Sequence, residues 1–280
     1  MVGDIFVAEE QVKNSTRIVW IDIAKALLIY LCVFGHIDRY GSKASTLVFA
    51  FHMPAFFILS GYVLNCSRPF RTFLIKNIIS SLVPYSVFCC LFTIVQLCTG
   101  HVELFNKQLL YQVFFSNQPD LLWIGAGWFL VALFWARLAS YTFNRFVEEK
   151  RVPVFMQVLL LFILYYIASH ILQILNAGVH SSRLPAKLDS ALMAFCFVQV
   201  GFFLKKMKLE INPYVAFCVL GIIFYFVGLS NGWCNVADCI YYDCGLYFIE
   251  SMSGSLCVFA FSKVLAKTKL ARPFKDMVNK

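Results

Sequence analysis

Long apolar stretches separated by short polar breaks run from one end of the chain to the other. Eight can be drawn, at about 17–37, 46–65, 77–99, 122–141, 153–175, 188–204, 213–230 and 245–263. Most approach the ~20 residues that a helix needs to cross ~30 Å of hydrocarbon; the sixth and seventh are shorter. The pattern predicts an all-α fold, a polytopic membrane helix bundle of about eight transmembrane helices. Residues 1–16 form a polar N-terminal segment, 17–263 the membrane domain, and 264–280 a basic C-terminal segment. The first sixteen residues are mixed in charge and do not read as a cleavable signal peptide, so the first apolar segment reads as a retained signal anchor. Connections are short except about 100–121 and 231–244, and 142–152 reads as a solvated turn carrying Glu148, Glu149, Lys150 and Arg151.

Composition agrees with this reading. Hydrophobic residues make up 60% of the chain and charged ones 14%, and 30 Phe and 13 Tyr suit lipid-facing and interfacial positions. The net charge of +9 would by itself suggest nucleic acid, but its distribution argues against that partner. Of the 24 Lys and Arg, 18 fall on the side of the predicted bundle that holds both termini, five on the other side, and Lys25 within the membrane. The positive-inside rule then places both termini in the cytoplasm of a multi-pass cell-membrane protein. The basic excess is a topology signal that also leaves the inner face suited to an anionic ligand. Most of the 11 cysteines lie in or beside apolar spans, where cysteine acts as a small hydrophobe. Cys234, Cys239 and Cys244 share one predicted outside loop; an oxidising compartment could pair two of them, and their spacing matches no zinc pattern.

Ionisable residues inside the spans carry the functional signal. Asp22, Lys25 and His36 lie in the first segment. At roughly 100° per residue, Lys25 and His36 fall within about 20° of one another, with Asp22 about 40–60° away. Charges at membrane depth usually face a cavity or pathway. In the second segment, Phe51-His52-Met53-Pro54 precedes Ser60-Gly61-Tyr62; Pro54 suits a helix start or kink, and Ser60-Gly61 permits close helix approach. A lone His52 reads more simply as a satisfied bundle residue. Arg68-Pro69-Phe70-Arg71 could grip a phosphate, although positive-inside anchoring is the simpler reading of its spacing. Trp128 opens the fourth span, where Trp is commonly an interfacial anchor, Asp189 opens the sixth, and Glu250 lies in the eighth, where a carboxylate needs a partner.

These residues resemble the acyltransferase 3 family of integral membrane acyltransferases, in its small single-domain form. Asp22-Ile-Ala-Lys25 with His36 is similar to the basic-x10-His motif of the first helix. Phe51-His52-Met53-Pro54 through Tyr62 is similar to the second-helix signature, and Arg68-x-x-Arg71 to the double-arginine motif. Gly127-Trp128-Phe129-Leu130 and Leu188-Asp189-Ser190 through Lys205 are similar to weaker patterns. Residues 231–256 resemble fucose 4-O-acetylase-like proteins. The resemblance implies transfer of an acyl group, usually acetyl from cytoplasmic acetyl-CoA, to a hydroxyl of a cell-surface polysaccharide or a lipid-linked sugar in the bilayer, with no metal. It also implies about ten helices, so that a further helix would be expected after Lys280.

On that reading His36 is the general base, with an acyl-histidine intermediate as a variant. Asp22 lies ~21 Å from His36 along a helix, too far to orient it, and at i, i+3 can pair instead with Lys25. Lys25, ~16 Å toward the cytoplasm, joins Arg68 and Arg71 in holding donor phosphates. Asp22, His52, Ser60, Trp128 and Asp189 are assigned to the acceptor, the oxyanion or structural support. The rival class is a transporter or flippase for a glycan or lipid-linked precursor, which would need neither an activating His nor CoA. A non-catalytic scaffold is a third reading.

Overall fold

The computed structural model describes residues 18–38, 42–99, 127–171, 174, 184–208 and 211–271. Eight helices among them match the eight apolar segments: α1 (Val19–Ile37), α2 (Lys43–Tyr62), α3 (Phe70–Asn77, a π-helical turn Ile78–Leu82, then Val83–Cys98), α4 (Trp128–Glu149), α5 (Val154–Tyr166, closed by a π-helical turn Ile167–Ile171), α6 (Leu188–Met207), α7 (Pro213–Ser230) and α8 (Cys244–Ala266). The bundle is all-α. Six helices are long and apolar enough to cross a membrane; α4 and α5 are the two outside that set. The apolar part of α5, Val154–His170, is shorter than the six. α4 is 22 residues long but carries Arg137, Arg145, Glu148 and Glu149. Its helix does not stop where the hydrophobicity fades near residue 141, so the connection read as 142–152 shrinks to a turn beginning at Lys150. The segments 100–121, 1–16 and 272–280 lie outside the described residues.

Burial identifies the centre of the bundle. α2 and α6 bury 61% and 67% of their membrane-crossing windows, whereas α3 and α7 bury 17% and 6% and present their apolar surface outward. Glycine lets the two central helices touch backbone to backbone. A Cβ on Gly61 would lie 1.8 Å from the Val198 carbonyl oxygen, and one on Gly201 would lie 1.9 Å from that of Ile58. Without a hydrophobic drive between helices in lipid, close backbone packing of this kind is what joins them.

Pro54 sits inside α2 rather than at its start. It has no N–H for the carbonyl four residues earlier. That carbonyl, on Ala50, instead accepts a 2.7 Å hydrogen bond from Ser251 Oγ of α8. The proline thus creates an acceptor that a neighbouring helix fills, as lipid-embedded backbone requires. α1 packs antiparallel to α2: Trp20 meets Tyr62 at one end, with ring centroids 5.4 Å apart, and His36 meets Phe49 at the other, 5.2 Å apart.

Candidate active site

The paired ends of α1 and α2 hold both helical histidines of the second and first segments. His36 Nδ1 lies 2.8 Å from the Cys32 carbonyl oxygen, and His52 Nδ1 lies 2.7 Å from that of Val48. A carbonyl only accepts, so in each neutral ring the proton sits on Nδ1 and Nε2 keeps its lone pair. His52 is buried and His36 exposed. The Phe49 ring stands between them, 5.2 Å from each imidazole. Cys32 Sγ lies 3.9 Å from His36 Nδ1 and also interacts with His52.

The loop between α7 and α8 closes over this end. Trp233 packs against Phe49 at a tilt of 37°, with centroids 4.7 Å apart. The loop is pinned from below by Glu250 of α8, whose Oε2 accepts from Asn231 Nδ2 at 3.0 Å. Asn231 Oδ1 in turn accepts from the Gly232 and Asp243 amides. The intramembrane carboxylate therefore has its partner in the loop. Asp189 is buried beside the middle of the same loop; its Oδ1 accepts from the Ser190 amide at 2.7 Å, while Ser190 Oγ and Lys187 Nζ both donate to the Ala237 carbonyl. Cys234, Cys239 and Cys244 are free thiols. Cys234 receives hydrogen bonds from Asn231 Nδ2 and the Tyr242 amide, and burial pushes its thiol up to about 11.

Lys25 is exposed and Asp22 half-buried on α1, between the two ends of the bundle. Beyond the opposite end of α2 lies a cavity of about 560 Å³ whose lining includes Arg68, Tyr141, Arg145 and Glu149. Tyr141 of α4 donates to the Arg68 carbonyl at 2.7 Å and stacks on Phe73, 4.3 Å between centroids. Arg68 lies in the turn before Pro69, and Arg71 is exposed on the first turn of α3. Ser60 is half-buried beside the Gly61 crossing. Trp128 packs edge-on to Phe57 of α2, 6.4 Å between centroids, so its ring contacts the bundle.

A family model for an acyltransferase domain matches residues 18–277, nearly the whole chain. The chain belongs to the acyltransferase 3 family. Neither a curated protein nor a solved structure matches it. This multi-pass membrane acyltransferase thus brings His36 and His52 together at one end, while Arg68 lines a cavity beyond the other. Three site neighbours escaped the sequence: Phe49, Trp233 and Arg145. Phe49 lay in the second apolar segment as one phenylalanine among 30. Arg145 had a signal, its position four residues after Tyr141 on one helix face.

Proposed function

We propose that the acyltransferase moves an acetyl group from cytoplasmic acetyl-CoA to a hydroxyl of a cell-surface polysaccharide or lipid-linked sugar, with His36 as general base. The observation that carries this reading is the His36 ring. Its Nδ1 proton is held by the Cys32 carbonyl, which leaves Nε2 as an unprotonated base on an exposed part of α1. Nε2 takes the acceptor's hydroxyl proton as that oxygen attacks the thioester carbonyl. The tetrahedral oxyanion then collapses, the C–S bond breaks, and the imidazolium returns its proton to the departing thiolate. His52, fixed in the same tautomer one phenylalanine ring away, receives the acceptor or the oxyanion. Arg68 and Arg71, with Lys25, bind donor phosphates from the cytoplasmic side.

The test is acetyl-CoA turnover by purified membranes carrying wild type or His36→Ala, with membrane insertion checked by reporter fusion. General-base loss lowers turnover by ~10²–10⁴-fold. A His36→Ala variant with near-normal turnover would remove His36 from the mechanism.

A further inference from the structure

An arginine sits in the middle of α4 with no acidic partner among the described residues. Arg137 is the tenth of the 22 residues of α4 and half-buried. Among the described residues its Nε, fully enclosed, has no hydrogen-bond partner, and its Nη1 donates a long bond, 3.3 Å, to Ser80 Oγ of α3. Among the described residues another cation, Arg68, also acts on it. The α4 carboxylates Glu148 and Glu149 lie about 16–18 Å away along the helix, and Glu149 pairs with Lys150. Two guanidinium groups that repel each other, one of them with an enclosed Nε, call for an anion.

The surroundings are built to receive one. Asn77, Ser81 and Ser140 are fully buried; Asn77 Nδ2 donates to the Phe134 carbonyl of α4, while Ser81 Oγ and Ser140 Oγ have no partner among the described residues. The hydroxyls can turn to donate. The π-helical turn Ile78–Leu82 carries Ser80 and Ser81 here, and such turns recur at functional sites. Arg137, Tyr141 and Arg145 recur every four residues, so they form one stripe of α4 about 12 Å long. Tyr141 and Arg145 line the inner cavity with Arg68. The stripe leads from that cavity into the bundle.

We infer that Arg137 is a phosphate-binding residue for the acyl donor, seated deeper in the membrane than Arg68 and Arg145. This rests on the acyl-CoA reading above. The cavity mouth takes the more exposed phosphates, and Arg137 with the serine hydroxyls takes the most deeply inserted one. An anionic lipid headgroup offers the same chemistry, and the experiment separates the two sources.

Binding of acetyl-CoA and of phosphate-free acetyl-pantetheine is measured calorimetrically on protein in neutral-lipid nanodiscs, for wild type, Arg137→Gln and Arg137→Lys. A thermal melt of each sample checks folding. Arg137→Gln should bind acetyl-CoA about tenfold or more weakly, the usual size of a lost charge-assisted contact, with acetyl-pantetheine unchanged. Arg137→Lys, which keeps charge without the fork, should fall between, and it decides the matter if the glutamine variant melts early. Variants that bind acetyl-CoA as wild type does would overturn the inference alone. Wild type that binds no acetyl-CoA would overturn the donor reading itself. Loss of co-purifying phosphatidylglycerol from Arg137→Gln, with acetyl-CoA affinity intact, would assign the site to a lipid and overturn the inference.

Discussion

At Cys234, burial and two hydrogen bonds act on a single thiol outside the spans. Its pKa near 11 lies well above the ordinary thiol value, and the thiolate is the reactive form. At pH 7.5 it therefore carries about 100-fold less thiolate than an unperturbed cysteine. Iodoacetamide labelling read by peptide mass spectrometry should leave Cys234 unmodified in the folded protein and label it after denaturation. Because the pKa is raised, labelling should climb about tenfold per pH unit toward 11. Labelling at the rate of glutathione at pH 7.5 would show that the loop does not close as described. At this scale the sequence was legible where function follows from spacing within one helix: Lys25 and His36 needed only the helical period. Trp233 was not legible, because its place over Phe49 depends on a loop returning across more than 180 residues. Arg137 is one of the 18 basic residues that the predicted topology assigns to the side holding both termini. Hydropathy alone could not reveal that α4 continues in helix through Glu149, which puts Arg137 near its middle.

Between elements, the α2–α6 crossing is the contact most sensitive to substitution. A Cβ at Gly61 or Gly201 would enter a facing backbone carbonyl, which cannot rotate away as a side chain can. A Cβ at Gly221 would meet Cys257 Sγ at 3.6 Å, an ordinary contact. Gly61→Ala and Gly201→Ala should therefore destabilise the bundle by about 1–3 kcal/mol or more, the usual cost of overpacking, while Gly221→Ala should be near neutral. Thermal unfolding of the three variants in detergent checks this. Equal melting temperatures for Gly201→Ala and Gly221→Ala would mean the helices separate at little cost. Ser60-Gly61 announced this crossing in the sequence, as small residues do in membranes, but its partner Gly201 did not. Pairing of helices far apart in sequence is a three-dimensional fact that one-dimensional periodicity omits. The Ser251 bond to the carbonyl freed by Pro54 was hidden for the same reason.

Across the whole molecule, the basic asymmetry predicts that the Arg68 cavity faces the cytoplasm and the His36–His52 end faces outside. Reporter fusions at residues 70, 147 and 207 should read inside, and one at 238 outside; 147 reading outside would invert the assignment. Positions 110 and 180, which the same rule places outside, lie beyond the described residues. The bundle and its helix order were legible because lipid demands near-complete apolar runs, and each of the eight helices covers the core of its predicted segment. Which helices stand at the centre was not, since α6 and α7 are both apolar yet bury 67% and 6% of their spans. The glycine crossing also has a mechanical meaning. It clamps α2 near the end that leads to Arg68, while His52 stands nine residues away, about 13 Å along the axis. α2 is thus a lever with a short inner arm and a long outer one. A tilt of about 10° about that fulcrum would carry His52 through about 2 Å, the margin between a hydrogen bond and none.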